Sequence, residues 1–407
     1  MVGPSRHWSR TLIALGSLLV IFASAAACIP KNRPDASTPA SPPPSTPSSN
    51  APSSNAPSSS GFDHSAALAL PSLQDTFAPY FSIGAAIEPY QTIQVGDLLQ
   101  KHFGRLTTEN AMKFGPLCPT MRCNFTQADT IANFAREHRM PMTGHALVWH
   151  QMVPAWFFRD EKGAASLELL SERLRAHAFQ MVERYADVVD NWDVVNEAIS
   201  DQAGKLYRDG SEGSTWYSAF GDERYVRLAF EYARAAADAH DPSVKLYYND
   251  YNVVKPEKRM KILQMVRELR KAGVRIDGVG LQGHWGVTWP SAADIEAAIL
   301  ELRAENLEVK ISELDVSVYG EDDHEKKVWQ AAMLDSAELE ERLKKRYVEI
   351  FEVLKRNKQH LSHVTFWGVS DDHTWLNYWP LRRDNYPLLF DRAHQPKPAL
   401  RGLLGLD

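Results

Sequence analysis

The sequence predicts an α/β fold, a (β/α)8 barrel that follows an N-terminal export signal and a linker. Short apolar runs alternate eight times with longer amphipathic stretches along residues 62–407. Strands that alternate with helices form parallel sheets, and eight is the number of strands that closes a (β/α)8 barrel. Polar side chains also collect where the predicted strands end, which is the active face of such barrels.

Residues 1–28 have the pattern of a secretory signal peptide. Basic residues precede an apolar stretch from Leu12 to Ala27, which is shorter than the roughly 20 residues that a membrane span needs. The small residues before Cys28 have two interpretations. They form an A-x-A-like cleavage site for release, and they also resemble a bacterial lipobox, at which Cys28 is lipidated. We therefore predict export, as a secreted protein or as a membrane-tethered lipoprotein in the periplasm or at the cell surface.

Residues 29–61 are rich in Pro, Ser, Ala and Thr and contain the sequence Asn-Ala-Pro-Ser-Ser twice. A segment with almost no large apolar residue cannot form a core, so this composition predicts a disordered linker. A random coil of this length spans about 30–35 Å. Such a linker would let the domain that follows work clear of a surface.

Residues 62–407 form one predicted domain with a net negative charge. The whole chain carries a charge of −6, and residues 1–61 contain four basic residues and one acidic residue, so the domain carries −9. A net-acidic domain without basic clusters argues against nucleic acid and anionic lipid as partners. A neutral polymer is compatible with this charge, and we expect a monomer.

The eight predicted strands are short apolar runs, and helical patterns separate them. The predicted strands are Phe81–Ile87, Arg105–Thr107, Met142–Val148, Val188–Val195, Val244–Tyr248, Gly278–Leu281, Val309–Leu314 and Val364–Val369. The predicted helices are Gln127–His138, Ser166–Tyr185, Glu223–Ala239, Pro256–Ala272, Ala292–Glu305 and Glu338–Asn357. A doubly wound open sheet is the alternative, but it needs no eighth repeat, and no glycine-rich phosphate loop follows the first strand.

Seven of the eight strands end in polar or aromatic side chains. In chain order, the candidate site residues are Glu109, Asn110, Lys113, His145, Trp149, Asn196, Glu197, Tyr251, Gln282, His284, Glu313, Asp315, Trp367 and Trp375. The C-terminal ends of all strands of a parallel barrel meet on one face. An aromatic face can stack on the apolar face of a sugar ring while an indole N–H donates a hydrogen bond. The sequence therefore predicts a sugar-binding cleft on this face.

Two of these residues, Glu197 and Glu313, each close a short apolar run. Paired carboxyl groups across a cleft are the machinery of glycoside hydrolysis, in which an acid with a raised pKa assists an ionised partner. We expect Asp315 to orient His284 and His284 to hydrogen-bond Glu313, which favours the charged form of Glu313 and suits a nucleophile. A buried His–Asp pair with no role in catalysis is the alternative interpretation of His284 and Asp315.

The chain contains three cysteines, Cys28, Cys118 and Cys123. If Cys28 carries lipid, the other two remain as a pair separated by four residues. An oxidising compartment would allow a small local disulfide between them, and two free, buried thiols are the alternative. Three cysteines without a CxxC motif indicate no metal site, and the histidines near the strand ends each have an adjacent Trp or carboxylate partner. We predict no metal and no cofactor.

The chain resembles glycoside hydrolase family 10, the endo-β-1,4-xylanases, from about Leu73 to Leu404. The resemblance rests on a series of motifs in a fixed order: Thr-Glu-Asn-Ala-Met-Lys (108–113), Gly-His-Ala-Leu-Val-Trp-His (144–150), Trp-Asp-Val-Val-Asn-Glu-Ala (192–198), Tyr-Asn-Asp-Tyr-Asn (248–252), Gly-Leu-Gln-Gly-His-Trp (280–285), Ser-Glu-Leu-Asp (312–315), Phe-Trp-Gly-Val-Ser-Asp (366–371) and Tyr-Pro-Leu-Leu-Phe-Asp (386–391). Two features depart from the family pattern: Ser312 stands where Thr is commoner, and paired cysteines are rare in the loop that holds Cys118 and Cys123.

The resemblance implies a (β/α)8 barrel that cleaves xylan and xylo-oligosaccharides with retention of configuration. By motif position Glu197 is the acid/base and Glu313 the nucleophile, with their carboxyl groups about 5–5.5 Å apart. The other candidates match positions that hold sugars on the glycone side of the cut, except Tyr251, which would line the aglycone side, and Asp315, which supports His284. The alternatives are a β-1,4-glucanase with the same mechanism and a surface-tethered glycan-binding protein with low activity.

Overall fold

The computed structural model describes residues 61–319, 336–380 and 382–406. These residues belong to one compact unit. The predicted signal peptide, Cys28 and all of the predicted linker except Gly61 lie outside the described residues. Within the described residues, no helix is both long enough and apolar enough to cross a membrane.

Eight parallel strands close into a barrel, as the sequence predicted. They are β1 (Ser82–Ile87), β2 (Arg105–Thr108), β3 (Met142–Trp149), β4 (Val189–Asn196), β5 (Lys245–Asp250), β6 (Gly278–Leu281), β7 (Glu308–Ser317) and β8 (Leu361–Phe366). Each strand pairs with the next one in the chain, and β8 pairs with both β7 and β1, which closes the sheet. A short strand, His284–Gly286, follows β6 and pairs with the end of β7.

Helices cross over between successive strands and cover the outside of the barrel. The longer helices are Gly96–His102, Thr126–Glu137, Leu167–Arg184, Arg224–Asp238, Pro256–Lys271, Ala292–Ala304 and Ser336–Arg356. The shorter α-helices are Ser65–Leu68, Leu73–Phe77, Gln91–Gln94, Phe114–Leu117, Thr215–Phe220 and Pro398–Leu403. Four 3-10 turns (Ala155–Phe158, Gly210–Glu212, Lys358–His360 and Trp375–Asn377) and a hairpin of Arg159–Asp160 with Gly163–Ala164 complete the described elements.

All six predicted helices are present, with ends that differ by a few residues. The sequence analysis did not identify Gly96–His102 or Pro398–Leu403 because each is shorter than three turns, so an apolar period is hard to recognise. Predicted strand Val364–Val369 lies instead at Leu361–Phe366. The difference arises because polar residues such as His363 occur in the strand and are buried, whereas the apolar run continues past the strand's end.

The barrel interior is polar, in contrast to the branched apolar side chains that usually fill such barrels. Lys310 on β7 is fully buried, and its Nζ lies 2.8 Å from Oδ1 of Asp193 on β4. Small residues make room for long ones: a Cβ added to Gly84 would lie 2.6 Å from Cγ of Arg105. A charged network therefore lies directly beneath the strand ends that carry the candidate site.

The strand register places the site residues in rows across the strand ends. Trp149 on β3 aligns with Asn196 on β4, which aligns in turn with Asn249 on β5. On the other side, His284 aligns with Asp315. Because aligned residues on adjacent strands are neighbours, the register alone groups these side chains around two points.

Candidate active site

A cleft of about 860 Å³ opens at the C-terminal ends of the strands. All fourteen site residues predicted from the sequence line it, from Glu109 after β2 to Trp375 after β8. Several residues outside that set also line it, namely His150, Gln151, Met152, Arg208, Asn252, Lys255, Trp285, Gly286, Trp289, Ser317, Tyr319, Leu376, Trp379 and Pro380. The structure therefore brings the predicted residues together in one place.

Glu197 follows the end of β4 and accepts hydrogen bonds from three N–H groups. Trp149 Nε1 donates to Oε2 over 2.8 Å, while Gln282 Nε2 and Asn196 Nδ2 donate to Oε1 over 2.8 and 3.1 Å. The backbone of Glu197 has a φ of 57°, which is uncommon for a residue with a side chain. Arg208 Nε donates to its carbonyl oxygen over 3.1 Å. These contacts fix the carboxyl group at the wall of the cleft.

His150 is a further neighbour of Glu197, with Nδ1 3.8 Å from Oε2. Burial is the main cause that lowers the pKa of His150 to about 4. The nearby charges of Arg208 and Lys258 also lower it, whereas the charge of Glu197 raises it. The imidazole is therefore neutral at neutral pH. It stands beside Glu197 without adding a positive charge.

Glu313 lies on β7 and is almost completely buried, with 4% of its surface exposed. Asn249 Nδ2 donates to Oε1 over 2.7 Å, and His284 Nε2 lies 3.1 Å from Oε2. The backbone N–H of Glu313 donates to the carbonyl oxygen of Gln282 over 2.7 Å. Both carboxyl oxygens thus have a nitrogen partner within hydrogen-bond distance.

His284 makes the environment of Glu313 ionic. Its Nδ1 lies 2.9 Å from Oδ2 of Asp315, and Trp375 Nε1 donates to the same oxygen over 2.8 Å. Burial opposes a charge on His284, but Asp315 and then Glu313 outweigh it and raise the pKa of His284 to about 10. Burial also acts to raise the pKa of Glu313, yet the hydrogen bond from His284 and nearby positive groups lower it overall. Glu313 is therefore held as a carboxylate.

Two amide side chains connect the two carboxyl groups. Asn249 Nδ2 donates to Asn196 Oδ1 over 2.9 Å as well as to Glu313, and Asn196 Nδ2 donates to Glu197. Ser312 Oγ donates to Asn249 Oδ1 over 2.5 Å, which orients that amide. The position of one carboxyl group is thereby tied to that of the other.

His145 joins the site to the polar interior of the barrel. Its Nδ1 lies 3.0 Å from Oδ2 of Asp193, and Lys310 Nζ approaches Oδ1 of the same carboxylate. Burial acts to raise the pKa of Asp193, but Lys310 and His145 lower it overall. Trp367 packs edge-on against His145, with ring centroids 5.3 Å apart. A buried charged chain thus supports this side of the cleft floor.

The loop after β2 supplies a polar group at one end of the cleft. Lys113 Nζ donates to Asn110 Oδ1 over 2.9 Å and lies 4.8 Å from the centre of the Trp149 ring. Asn110 Nδ2 donates to Glu88 Oε1 over 2.6 Å. His373 Nε2 lies 2.8 Å from Oε2 of Glu109. These residues connect the ends of β1, β2 and β8.

The Tyr251 side of the cleft has a separate network. Tyr251 donates to Asp201 through its hydroxyl, and Arg208 Nη2 donates to the Tyr251 hydroxyl over 2.8 Å. Lys258 Nζ lies 3.0 Å from Oδ1 of Asp201 and 4.4 Å from the centre of the Tyr251 ring. The aromatic ring is consequently fixed by charged groups behind it.

Among the described residues, one group could hold a metal ion by distance alone, consisting of Glu88, Glu109 and His373, whose ligand atoms lie within 4.8 Å of one another. Glu109 already bonds to His373, and Glu88 accepts a hydrogen bond from Asn110. In the loop after β2, Cys118 and Cys123 form a disulfide. Trp156 Nε1 donates to the carbonyl oxygen of Cys118 over 2.9 Å.

The residues that were absent from the predicted set include Asn249, His150, Arg208 and His373. The first two lie inside motifs that the sequence analysis did quote, so their position next to a strand end was an available signal. Arg208 lies in the long loop after β4, and His373 lies in the loop after β8. No periodicity marks either residue in the sequence, because their positions depend on loop geometry.

Comparisons with known proteins identify the family of the chain. The family model for glycosyl hydrolase family 10 matches residues 72–405. An endo-1,4-β-xylanase of Geobacillus stearothermophilus is 40% identical over 81% of this chain and 97% of its own length. A β-1,4-xylanase of Dictyoglomus thermophilum is 39% identical over 83% of this chain and 91% of its own.

Solved structures show the same likeness. The crystal structure of xylanase B from Clostridium stercorarium F9 is 39% identical, covers 82% of this chain and 99% of its own, and has a TM-score of 0.75. A xylanase from Paenibacillus barcinonensis in complex with a conduramine derivative is 37% identical, covers 83% of this chain and 99% of its own, and has a TM-score of 0.77. With a matched family model, close relatives and a shared fold, the chain belongs to glycosyl hydrolase family 10.

Proposed function

We propose that the protein hydrolyses internal β-1,4 linkages of xylan with retention of configuration. The observation that carries the proposal is the pair Glu197 and Glu313, which share an amide bridge but have opposite surroundings. Glu313 has a cationic partner and a lowered pKa, as a nucleophile requires. Glu197 has neutral donors and a neutral histidine beside it. Family membership and relatives named as xylanases support the substrate.

In the first step, a Glu313 oxygen attacks the anomeric carbon of the sugar on the glycone side. The bond from that carbon to the glycosidic oxygen breaks as the Glu197 carboxyl proton is transferred to the leaving oxygen. The products are a covalent glycosyl-enzyme and a shortened chain with a free hydroxyl group. The transition state has oxocarbenium character, and the nearby Glu313 carboxylate stabilises its positive charge.

In the second step, Glu197, now ionised, removes a proton from a water molecule that attacks the same carbon. The ester bond to Glu313 breaks and leaves it as a carboxylate, while Glu197 regains its proton. Two inversions give net retention, which requires a separation of about 5–5.5 Å between the carboxyl groups. A crystal structure with a separation of about 6.5–9.5 Å would instead indicate inversion.

The cleft lining suits a neutral polysaccharide. Trp149, Trp367 and Trp375 provide aromatic faces for sugar rings, and Asn110 with Lys113 provides polar groups for hydroxyls. We assign Tyr251, which lines the cleft and contacts Arg208 and Asp201, to the aglycone side. Amide and charged donors of this kind recognise hydroxyl groups through hydrogen bonds.

Release of reducing sugar from glucuronoxylan and from a soluble cellulose derivative tests the proposal. We expect the purified protein to cut xylan and to cut the glucan much less. Comparable cutting of both polymers would indicate a broad β-1,4-glycanase with the same mechanism. A folded protein that binds xylan and cuts neither polymer would indicate a glycan-binding role and contradict the proposal.

We also propose that the protein is exported and tethered to a membrane through Cys28. The support is the sequence of residues 1–28 and the linker-like composition of residues 29–61. Intact-mass analysis of the protein from the membrane fraction would show a lipid on Cys28. An unmodified chain that starts after Ala27 and appears in the medium would indicate secretion instead.

A further inference from the structure

We propose that His373 is a positioning residue for sugar binding, because it holds the Glu109 carboxylate in the orientation that accepts a sugar hydroxyl. The inference rests on the proposed function, in which Glu109 lines the glycone side of the cleft. It assigns a role to a residue of the loop after β8 that itself does not line the cleft. Any effect of His373 on the substrate is thus exerted through Glu109.

Glu109 has one strong protein contact and one weak one. His373 Nε2 lies 2.8 Å from Oε2. Asn110 Nδ2 lies 3.5 Å from Oε1, whereas the same amide nitrogen lies 2.6 Å from Glu88. The Asn110 amide is therefore engaged mainly by Glu88. His373 is left as the principal anchor of the Glu109 side chain.

His373 is itself held firmly by its own loop. Its backbone N–H donates to the carbonyl oxygen of Ser370 over 3.1 Å, and the edge of Tyr90 packs against its ring with centroids 5.7 Å apart. The preceding residue, Asp372, accepts a hydrogen bond from Ser370 Oγ over 2.6 Å and lies 3.2 Å from Nε2 of His394. An imidazole fixed in this way can orient a partner that has rotational freedom.

The electrostatic surroundings favour a charged His373. Glu109 faces it from the end of β2, Glu88 from the end of β1, Asp372 from its own loop, and Tyr90 from the turn after β1. The hydrogen bond to Glu109 is the largest cause that raises the pKa of His373, and burial opposes it. A cation here also offsets the repulsion between two nearby carboxyl groups, those of Glu88 and Glu109.

The direction of the pH effect follows from the raised pKa. The ion pair is present when the pH lies below the pKa of His373 in the folded protein, and it is lost as the pH rises through that value. Glu109 then loses its anchor. We expect KM for a long xylo-oligosaccharide to increase with pH across this range, with a smaller change in kcat.

Kinetics of His373→Ala and His373→Gln on xylohexaose test the proposal. We expect KM to increase about threefold to tenfold in the alanine variant, because the lost hydrogen bond weakens the sugar contact only indirectly, through the position of Glu109. The glutamine variant keeps an N–H donor, so its KM should increase less. Because glutamine does not titrate, the rise of KM with pH that His373 causes should also disappear. In both variants kcat should remain within about twofold, since the loss is in binding.

His240→Gln is the matched control, because His240 Nε2 also lies near a glutamate, 3.9 Å from Glu183 Oε1, and its side chain is 41% exposed. We expect wild-type kinetics from it. An unchanged KM in both His373 variants would overturn the inference. So would a fall in kcat of the glutamine variant that is as large as the rise in its KM. Thermal unfolding of each variant separates these results from a loss of folded protein.

A measurement without substrate distinguishes this inference from the proposed function. NMR titration should show that Glu109→Gln lowers the pKa of His373, because the anionic partner is removed. An unchanged titration would overturn the role of the Glu109–His373 pair even in an active xylanase. Failure of the wild-type protein to cut xylohexaose would contradict the proposed function and leave the titration result valid.

Discussion

His284 and His150 stand beside the two carboxyl groups of the cleft, one on each side. His284 lies 3.1 Å from Glu313 and has a second partner, Asp315, which raises its pKa to about 10. His150 lies 3.8 Å from Glu197, and burial lowers its pKa to about 4. The same residue type is thus a cation on the Glu313 side and neutral on the Glu197 side.

The difference shows how one site can hold two carboxyl groups in different roles. A retaining glycosidase needs one ionised carboxylate and one carboxyl group that can give up a proton. His284 hydrogen-bonds the buried Asp315, whereas no carboxylate within the described part of the chain hydrogen-bonds His150. This second partner decides whether a positive charge stands beside the glutamate. Asp315 therefore determines the charge beside Glu313 together with His284.

Removal of the carboxyl groups themselves should have the largest effect. We expect Glu313→Ala to lose at least about four orders of magnitude in kcat, because no nucleophile remains. Glu197→Ala should also be poor on xylan, but azide should restore turnover of an activated aryl glycoside whose leaving group needs no acid. Assays of both variants with and without azide, on protein shown by circular dichroism to be folded, measure this.

Two results would contradict these assignments. Retained xylan cleavage by Glu313→Ala would exclude Glu313 as the nucleophile. An azide-treated Glu197→Ala variant that stays inactive on the activated substrate would weaken the assignment of Glu197 as the acid/base.

Asp315→Asn should have the next largest effect, because it removes the anion that keeps His284 charged. The pKa of Glu313 is lowered in the native protein, so loss of the His284 charge should raise it. The acid limb of kcat/KM against pH should then move to higher pH by about one unit. We expect kcat/KM at neutral pH to fall about 10- to 100-fold, as loss of a charge-assisted hydrogen bond predicts.

A pH profile for Asp315→Asn that keeps the wild-type acid limb would contradict this account of Glu313. Asn385 is a buried asparagine outside the proposed catalytic groups. Its Nδ2 donates over 2.9 Å to Oγ of Ser317, which lies on the same strand as Asp315. Ser317→Ala therefore serves as a control for a polar change nearby that leaves His284 intact.

The sequence predicted the barrel and the location of the site because both depend on local pattern. Apolar runs end where strands end, and in a parallel barrel the residues that follow must share one face. Glu197 and Glu313 could be placed on that face before any coordinates were known. The contacts of His284 with Asp315 and Glu313 were predicted as well. The neutral state of His150 was not, because its pKa depends on burial by the surrounding loops.

The loops also explain what the sequence left undetermined. Arg208 reaches Glu197 and Tyr251 from the loop after β4, and that loop has no apolar period that predicts its path. The polar barrel interior was not predicted either, since the burial of Lys310 follows only from strand register and from the glycines that make room for long side chains.

Trp149→Phe should have a smaller effect on the Glu197 side. It removes the indole N–H that donates to Glu197 Oε2 over 2.8 Å and keeps an aromatic ring near Lys113. One hydrogen bond to a charged group corresponds to about a tenfold loss in kcat/KM. Kinetics on xylan measure this loss. The control is Trp379→Phe, because Trp379 is exposed and its replacement leaves the hydrogen bonds of Glu197 intact. It should lose less kcat/KM than Trp149→Phe. Trp192 is unsuited as a control because it is buried against Gly144.

His150→Gln and His284→Gln form the sharpest test of the comparison, and the former should have the smallest effect of all. A neutral glutamine in place of a neutral histidine changes no charge beside Glu197, so we expect the pH limbs to move by less than about 0.3 units and kcat to stay within about twofold. The same substitution at His284 removes a cation and should move the acid limb upward, as Asp315→Asn does. Equal shifts of the acid limb in the two variants would mean that His150 is charged in the free enzyme. The difference between Glu197 and Glu313 would then have to come from the amides around Glu197 alone.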